Sequence, residues 1–187
     1  MIGAGEVEGL LITEKELGER VQALNRNQWQ VSSFEVLRDL KRSLRSSQIA
    51  PQHWISAELN DMLHHWHVMQ GNPAKASSQM RKQIRFLENV FPRPNLRTAS
   101  CYAALADSLC SILDPVTFQS PIHRLTHGAL KAECALDNTQ QQSLREEIAG
   151  LYARAVQMLE LVEGLGGVLY QDIKRKQKAR LSLFKNT

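Results

Sequence analysis

The sequence lacks any run of about eighteen apolar residues, the length that a helix needs to cross a bilayer. Its first residues, Met1 to Glu6, lack the basic segment and apolar stretch of a secretory signal. It has only three cysteines, Cys101, Cys110 and Cys134, set among apolar neighbours. An odd number in such surroundings implies no disulfide framework and indicates buried, reduced thiols. We therefore expect a soluble cytoplasmic protein with no membrane partner.

Patterns of known catalytic, metal and nucleotide chemistry are also missing. His123 and His127 could share one helix face and hold a metal, but no third ligand is evident, and no His-Glu-x-x-His or Cys-x-x-Cys occurs. The glycine-rich stretch 164–167 lies inside an apolar helical pattern and lacks the Lys-Ser/Thr of a phosphate loop. No carboxylate pair is set apart in apolar surroundings for acid and base roles. The sequence predicts a protein that is not an enzyme and uses no metal or cofactor.

What is present is typical of a globular helical domain. The chain has 187 residues, 43% of them hydrophobic and 22% charged, which is enough to bury a core without cross-links. Apolar residues recur at helical spacing along most of the chain, and no segment reads convincingly as a strand. We predict an all-α protein, an irregular bundle of about seven helices with a long C-terminal heptad-patterned helix and a basic tail.

Caps and breakers mark the ends of the predicted helices. The starts, in chain order, are a capping box at 13–16, a second box at 32–35, Pro51, Pro73, about Leu96, Ser120-Pro121 and a final segment that contains Leu144.

The final segment carries the most regular apolar pattern. Spacings of four and three alternate along a seam made of Leu144, Ile148, Leu151, Ala155, Met158 and Val162. Gly164, Gly166 and Gly167 then predict a bend or break, although such glycines can also permit close helix packing. We accordingly divide the chain into a helical bundle domain, 1–167, and a basic C-terminal helix or tail, 168–187.

Basic residues are clustered, although the net charge is only +4. Such clusters can neutralise the phosphates of nucleic acid, or can simply be solvated helix faces. The candidate nucleic-acid-binding residues are Lys41, Arg42 and Arg45 in one cluster, Arg81, Lys82 and Arg85 in a second, and Lys174, Arg175, Lys176 and Lys178 in a third.

The third cluster leads into an apolar peptide, Arg180-Leu181-Ser182-Leu183-Phe184. It resembles the Gln-Leu-Ser/Asp-Leu-Phe peptide by which bacterial polymerases, mismatch-repair proteins and initiation regulators dock on the replicative sliding clamp. The resemblance implies that Leu181, Leu183 and Phe184 are anchors, and that Arg180 and Ser182 are polar flanks. Arg180 replaces the family's glutamine, and the match covers five residues. The same residues also fit the frayed end of an amphipathic helix that covers a neighbour.

Two hypotheses of function follow. In the first, a non-catalytic replication or repair accessory protein docks on the bacterial sliding clamp through residues 180–184, while its body contacts DNA or another replication or repair protein. In the second, a helical adaptor or assembly subunit pairs with itself or a partner through the Leu144–Val162 seam, without DNA. A nucleic-acid-binding subunit of a ribonucleoprotein is a third interpretation.

Overall fold

The computed structural model describes residues 4–26, 34–47, 49–50, 53–114 and 136–184. Within these ranges every regular element is an α-helix, which confirms the predicted all-α class. The helices are α1 (Ala4–Arg26), α2 (Phe34–Ser46), α3 (Trp54–Met69), α4 (Pro73–Val90), α5 (Leu96–Leu113), α6 (Asn138–Glu163) and α7 (Val168–Phe184). The predicted helix after Ser120-Pro121, with His123, His127 and Cys134, lies outside the described residues. None of the described helices has the length and apolarity needed to cross a membrane.

Polar side chains cap four of the described helices, and three of these caps are Asn or Asp. Pro73 is the first residue of α4, as predicted, and the Asn72 side chain accepts a hydrogen bond from the Lys75 amide at 3.2 Å. Asn95 caps α5 in the same way, at 2.9 Å from the Thr98 amide. Asp137 opens α6 with a capping box.

Two predicted helix starts fall elsewhere. The box at 13–16 is not a cap, because α1 begins at Ala4 and Thr13 lies in its middle. Helix α3 begins at Trp54, where His53 Nδ1 accepts a hydrogen bond from the Ile55 amide at 3.4 Å. Pro51 lies outside the described residues. Thr13 and Glu16 can also lie inside a helix at a small cost in propensity, so a capping pattern alone does not fix where a helix starts.

The buried apolar residues form two cores. The first core joins α1, α2 and α3 and contains Leu17, Val21, Leu37, Leu40, Ile55, Leu59, Met62 and Leu63. The main core joins α4 to α7 and is centred on the interface between α5 and α6. Because α3 packs extensively against α4, the two cores lie on either side of one helical hairpin.

Other helices of the same chain cover the centre of the heptad seam. Ile148, Leu151 and Ala155 are buried in the main core, so helices of the same chain cover the centre of the stripe. A homo-oligomer that pairs through the Leu144–Val162 seam therefore lacks a free central surface.

The predicted break at the glycines is confirmed. Gly164 has φ of +73° and donates its N–H to the Glu160 carbonyl at 3.1 Å, which ends α6. The Glu163 carboxylate then accepts a hydrogen bond from the Tyr170 amide at 3.1 Å in the first turn of α7. A Cβ on Gly167 would collide with the Glu163 side chain, so close packing adds a second need for glycine here.

Candidate partner-binding surfaces

The peptide Arg180-Leu181-Ser182-Leu183-Phe184 forms the helical end of α7. Leu181 and Phe184 are half-buried and Ser182 is exposed, with its hydroxyl donating to the Ala179 carbonyl at 2.8 Å. Phe184 packs against the main core, and the Arg145 guanidinium carbon lies 5.9 Å from its ring centroid. The side chain of Leu183 lies outside the described part. Two of the three proposed anchors are thus partly covered by the protein itself.

Helical spacing explains why Phe184 packs against the main core. Tyr170 and Ile173 are buried in the main core, and Phe184 follows Tyr170 by a whole number of heptads on the same face. The sequence left open whether residues 168–187 form a helix or a tail, and the structure shows a helix over Val168–Phe184. Arg180 is half-buried on α7, close enough for its charge to act on the pKa values of Cys110 and Tyr152.

The third basic cluster occupies the outer side of α7. Lys174, Arg175 and Lys178 are exposed. The Lys174 ammonium donates to the Tyr170 hydroxyl at 2.6 Å, and this hydrogen bond raises the pKa of Lys174. Lys176 pairs with Asp172 at 3.3 Å. The cluster stays cationic and accessible while the opposite face of α7 is buried.

Members of the first two clusters lie near enough for their charges to act on one another. The pKa of Lys41 on α2 is lowered by burial first and then by the positive charges of Lys82 and Arg45. Lys41 and Lys75 both lower the pKa of buried His67, which places Lys75 near the same position. We call Lys41, Arg45, Lys75 and Lys82 the basic patch. Arg42 is held by Asp39 at 2.9 Å and faces solvent beside it.

Arg81 and Arg85 face a different part of the surface. Arg81 forms an ion pair with Glu147 across α4 and α6, with one N–H···O distance of 2.9 Å, and this hydrogen bond raises the pKa of Arg81. Arg85 lines a cleft of about 390 Å³ between α4, α5 and α6. The predicted second cluster is therefore divided, because Arg81 and Arg85 line the cleft whereas Lys82 does not and instead lies within electrostatic reach of Lys41.

The cleft brings together charged side chains that no sequence pattern predicts to be close. The Tyr102 hydroxyl donates to the Glu88 carboxylate, and Arg154 Nη1 approaches that hydroxyl at 3.5 Å with its guanidinium carbon 5.8 Å from the ring centroid. Ile84, Leu105 and Leu151 provide the apolar lining. We call this site the arginine cleft. Arg154 and Tyr102 are isolated in the sequence, and only the packing of α5 on α6 brings them to Arg85.

Helices α3 and α4 carry buried polar side chains, and some of their polar atoms have no hydrogen-bond partner among the described residues. His64 Nδ1 lies 3.1 Å from the Ala76 carbonyl oxygen, whereas His67 Nδ1 has no partner among the described residues. Burial lowers the pKa of His64, and burial followed by the charges of Lys75 and Lys41 lowers the pKa of His67 to about 4. Gln83 is fully buried, with neither side-chain amide atom hydrogen-bonded within the described ranges.

The described segments contain two cysteines and no cluster of metal-binding side chains. No group of three His, Cys, Asp or Glu residues there could hold a metal ion. Cys101 and Cys110 are free and buried, as predicted, and burial raises the pKa of each thiol to about 12. Such thiols stay protonated near neutral pH and are poor nucleophiles.

The turn between α6 and α7 exposes apolar side chains. The exposed fractions are 70% for Leu161, 42% for Val162, 60% for Leu165 and 87% for Val168. We call these four residues the apolar corner. Contiguous exposed apolar residues often mark a protein contact, and this corner is separate from the buried part of the seam.

Comparison with known protein families finds no match, and comparison with curated protein sequences finds none either.

Proposed function

We propose that the protein is a non-catalytic accessory protein of bacterial DNA replication or repair, and that it docks on the sliding clamp through Arg180-Leu181-Ser182-Leu183-Phe184. The observation that carries the proposal is the resemblance of this peptide to clamp-binding peptides. Its position supports the proposal, since the peptide occupies the last described turn of α7 beside an exposed cationic face. Basic side chains there can speed the encounter with an acidic partner.

Docking then requires a local opening. Leu181 and Phe184 are largely but not fully covered, so their release exposes apolar surface and costs about 2–5 kcal/mol in total. Helix ends are the least stable parts of a fold and open without global unfolding. Insertion of the leucine and phenylalanine side chains into a preformed pocket can offset a cost of this size.

A peptide titration tests the docking. A peptide of residues 174–187 is titrated against the bacterial sliding clamp beside a double variant, Leu183→Ala with Phe184→Ala. Lys185→Ala serves as the matched control because it changes a residue outside the proposed anchors. We expect the control to bind like the natural sequence and the double variant to lose binding. Indistinguishable affinities for the natural and double-variant peptides remove the proposal.

The same titration with the full chain tests the opening step. We expect the full chain to bind more weakly than the peptide by the free energy of releasing the end of α7. Arg145→Gln removes the guanidinium that faces the Phe184 ring and should bring the full chain closer to the peptide. Equal binding by chain and peptide would mean that the helix end does not restrain the anchors.

The basic patch supports a further contact of the body with DNA. Lys41, Arg45 and Lys82 come from two helices, and their mutual repulsion is reduced when a phosphate backbone lies across them. Binding to duplex DNA is measured across a series of salt concentrations for wild type and Lys82→Gln. Loss of one phosphate contact should lower the slope of log affinity against log salt by about one. Arg93→Gln, in the exposed loop between α4 and α5, is the control and should leave the slope unchanged.

A helical adaptor or assembly subunit is the second candidate function, and the apolar corner favours it. The seam itself is occupied, so pairing would use Leu161, Leu165 and Val168. The mass in solution is measured for wild type and for Leu165→Glu with Val168→Glu. An assembly that pairs through the corner becomes monomeric in the double variant, whereas a monomeric wild type excludes self-pairing.

A further inference from the structure

The arginine cleft has the size and the polar groups of a ligand site. Its volume of about 390 Å³ falls within the range of small-molecule sites. Its walls come from three helices that meet in the main core, so the side chains project from a rigid support. Gly150 lies at its edge, and a Cβ built there would meet nothing within 4 Å.

Some charged side chains in the cleft have an ion-pair or hydrogen-bond partner, and others form no ion pair within the described residues. Arg81 is committed to Glu147, and Glu88 accepts the hydrogen bond of the Tyr102 hydroxyl. Arg85 and Arg154 form no ion pair within the described part of the chain, although they face the same space from α4 and α6. Two guanidinium groups therefore face the cleft from opposite walls with donors left over.

The number of spare donors favours phosphate as the ligand group. A guanidinium binds an oxyanion through two parallel N–H···O bonds, and two guanidinium groups need more acceptor positions than one carboxylate offers. A phosphate monoester presents three terminal oxygens and a higher charge. Glu88 and Glu147 would repel further anionic groups but can accept hydrogen bonds from hydroxyl or amino groups. Ile84, Leu105 and Leu151 form a largely buried apolar floor, so the polar groups around it decide which ligand fits.

We propose that the arginine cleft binds the phosphate of a ligand of nucleotide size, with Arg85 and Arg154 as the phosphate-binding residues. The body of the ligand lies over a floor formed by the edges of Ile84, Leu105 and Leu151, which are largely buried, so the two arginines carry most of the affinity. This site is independent of the clamp-docking peptide and of the basic patch. The phosphate can belong to a free nucleotide or to a nucleic-acid strand, and the two sources share the same chemistry.

Calorimetric titration of the full chain at low ionic strength tests the site. The probes are adenosine 5′-monophosphate, adenosine, inorganic phosphate and a short single-stranded oligonucleotide. We expect the monophosphate to bind more tightly than adenosine or phosphate alone. Arg154→Gln and Arg85→Gln should each weaken it by about tenfold or more, since each removes a charged hydrogen-bonding partner.

Gly150→Leu separates binding from folding. The leucine side chain extends into open space at the edge of the cleft, and replacing glycine within a helix favours the fold, so the variant should unfold at no lower a urea concentration than wild type while it loses the ligand. Arg93→Gln is the matched control for the arginine variants and should bind normally. An oligonucleotide whose binding falls in Gly150→Leu identifies a strand phosphate as the source, and an effect on the monophosphate alone identifies a free nucleotide.

Any of the following results overturns the proposal. One is that adenosine binds as well as its monophosphate, or that neither the monophosphate nor the oligonucleotide binds. Another is that Arg154→Gln and Gly150→Leu, both folded, bind like wild type. The last is competition by a glutamate-rich peptide as effective as competition by the monophosphate, which would assign the cleft to carboxylates.

Discussion

His67 is a buried imidazole that the fold holds neutral. In the unfolded chain it takes up a proton near pH 6.5, whereas burial lowers its folded-state pKa to about 4. Protonation therefore favours the unfolded chain between these values, so the stability is full above pH 6.5 and is lost as the pH falls towards 4. His64, whose pKa is also lowered by burial, acts in the same direction.

Substitution of His67 by glutamine should flatten this acid dependence. We expect the free energy of unfolding of wild type, measured in urea from pH 7 to pH 4.5, to fall more steeply than that of His67→Gln. His65→Gln is the control, because His65 is exposed on the same helix, and its slope should follow wild type. Parallel curves for wild type and His67→Gln would mean that protonation of His67 does not destabilise the fold.

Tyr152 joins α6 to α5 through a buried hydroxyl. The ring is fully buried and its hydroxyl donates to the Asp107 carboxylate at 2.6 Å; burial, followed by that carboxylate, raises the pKa of the phenol. We expect Tyr152→Phe to lower the free energy of unfolding by about 1.5–3 kcal/mol, the usual size for a hydrogen bond to a charged group. Tyr170→Phe is the matched control. It loses a bond to the exposed Lys174 and should cost under about 1 kcal/mol. Equal losses in the two variants would contradict the special role of the Tyr152 contact.

At the scale of elements, the turn from α6 to α7 depends on one residue with a positive φ. Gly164 has φ of +73° and ψ of 178°, a conformation essentially restricted to glycine that costs other residues about 1–3 kcal/mol. Gly164→Ala should lower the free energy of unfolding by that amount, as measured by urea denaturation. Gly166→Ala is an internal control, because a Cβ there meets nothing within 4 Å and its φ lies outside the positive region. A larger loss for Gly166→Ala than for Gly164→Ala would contradict this reason for the break.

The sequence predicted the helices well because amphipathic periodicity is a local signal. Proline 73 and the glycines at 164–167 marked real boundaries, since backbone geometry acts over a few residues. The helix start predicted from the capping box at 13–16 was wrong, because the residues before the box continue the same helix back to Ala4. The packing of α7 was harder to foresee, since Phe184 follows the heptad of Tyr170 and Ile173 across a polar, basic stretch.

The candidate surfaces were only partly predictable. Residues 180–184 and the basic clusters are contiguous in sequence and visible there. The arginine cleft is not, because Arg85, Tyr102 and Arg154 come from three helices and are brought together by long-range packing. In the same way, α2 and α4 bring Lys41 near Lys82, two residues that lie far apart in the sequence. The sequence pattern instead groups Lys82 with its neighbours Arg81 and Arg85.

At the scale of the molecule, the two cores should differ in local stability. Of the side chains described, α1 buries Leu17 and Val21 and α2 buries Leu37 and Leu40, whereas α5 alone places many more apolar groups in the main core. Helices α1 and α2 pack only lightly on α3, but α5 has extensive interfaces with both α4 and α6. Segments with few buried apolar contacts open at lower free energy.

Native-state hydrogen exchange tests this division of the fold. Amides of α1 and α2 should exchange through openings that cost less free energy than global unfolding, while amides in the middle of α5 and α6 should exchange only with global unfolding. Leu37→Ala should lower stability by about 2–5 kcal/mol in total and speed exchange in α1 and α2 first. Leu105→Ala, in the main core, is the counterpart and should speed exchange throughout the chain. If α1 and α2 were as slow to exchange as α5 in wild type, the two cores would form one cooperative unit, and α3 with α4 would transmit stability fully between them.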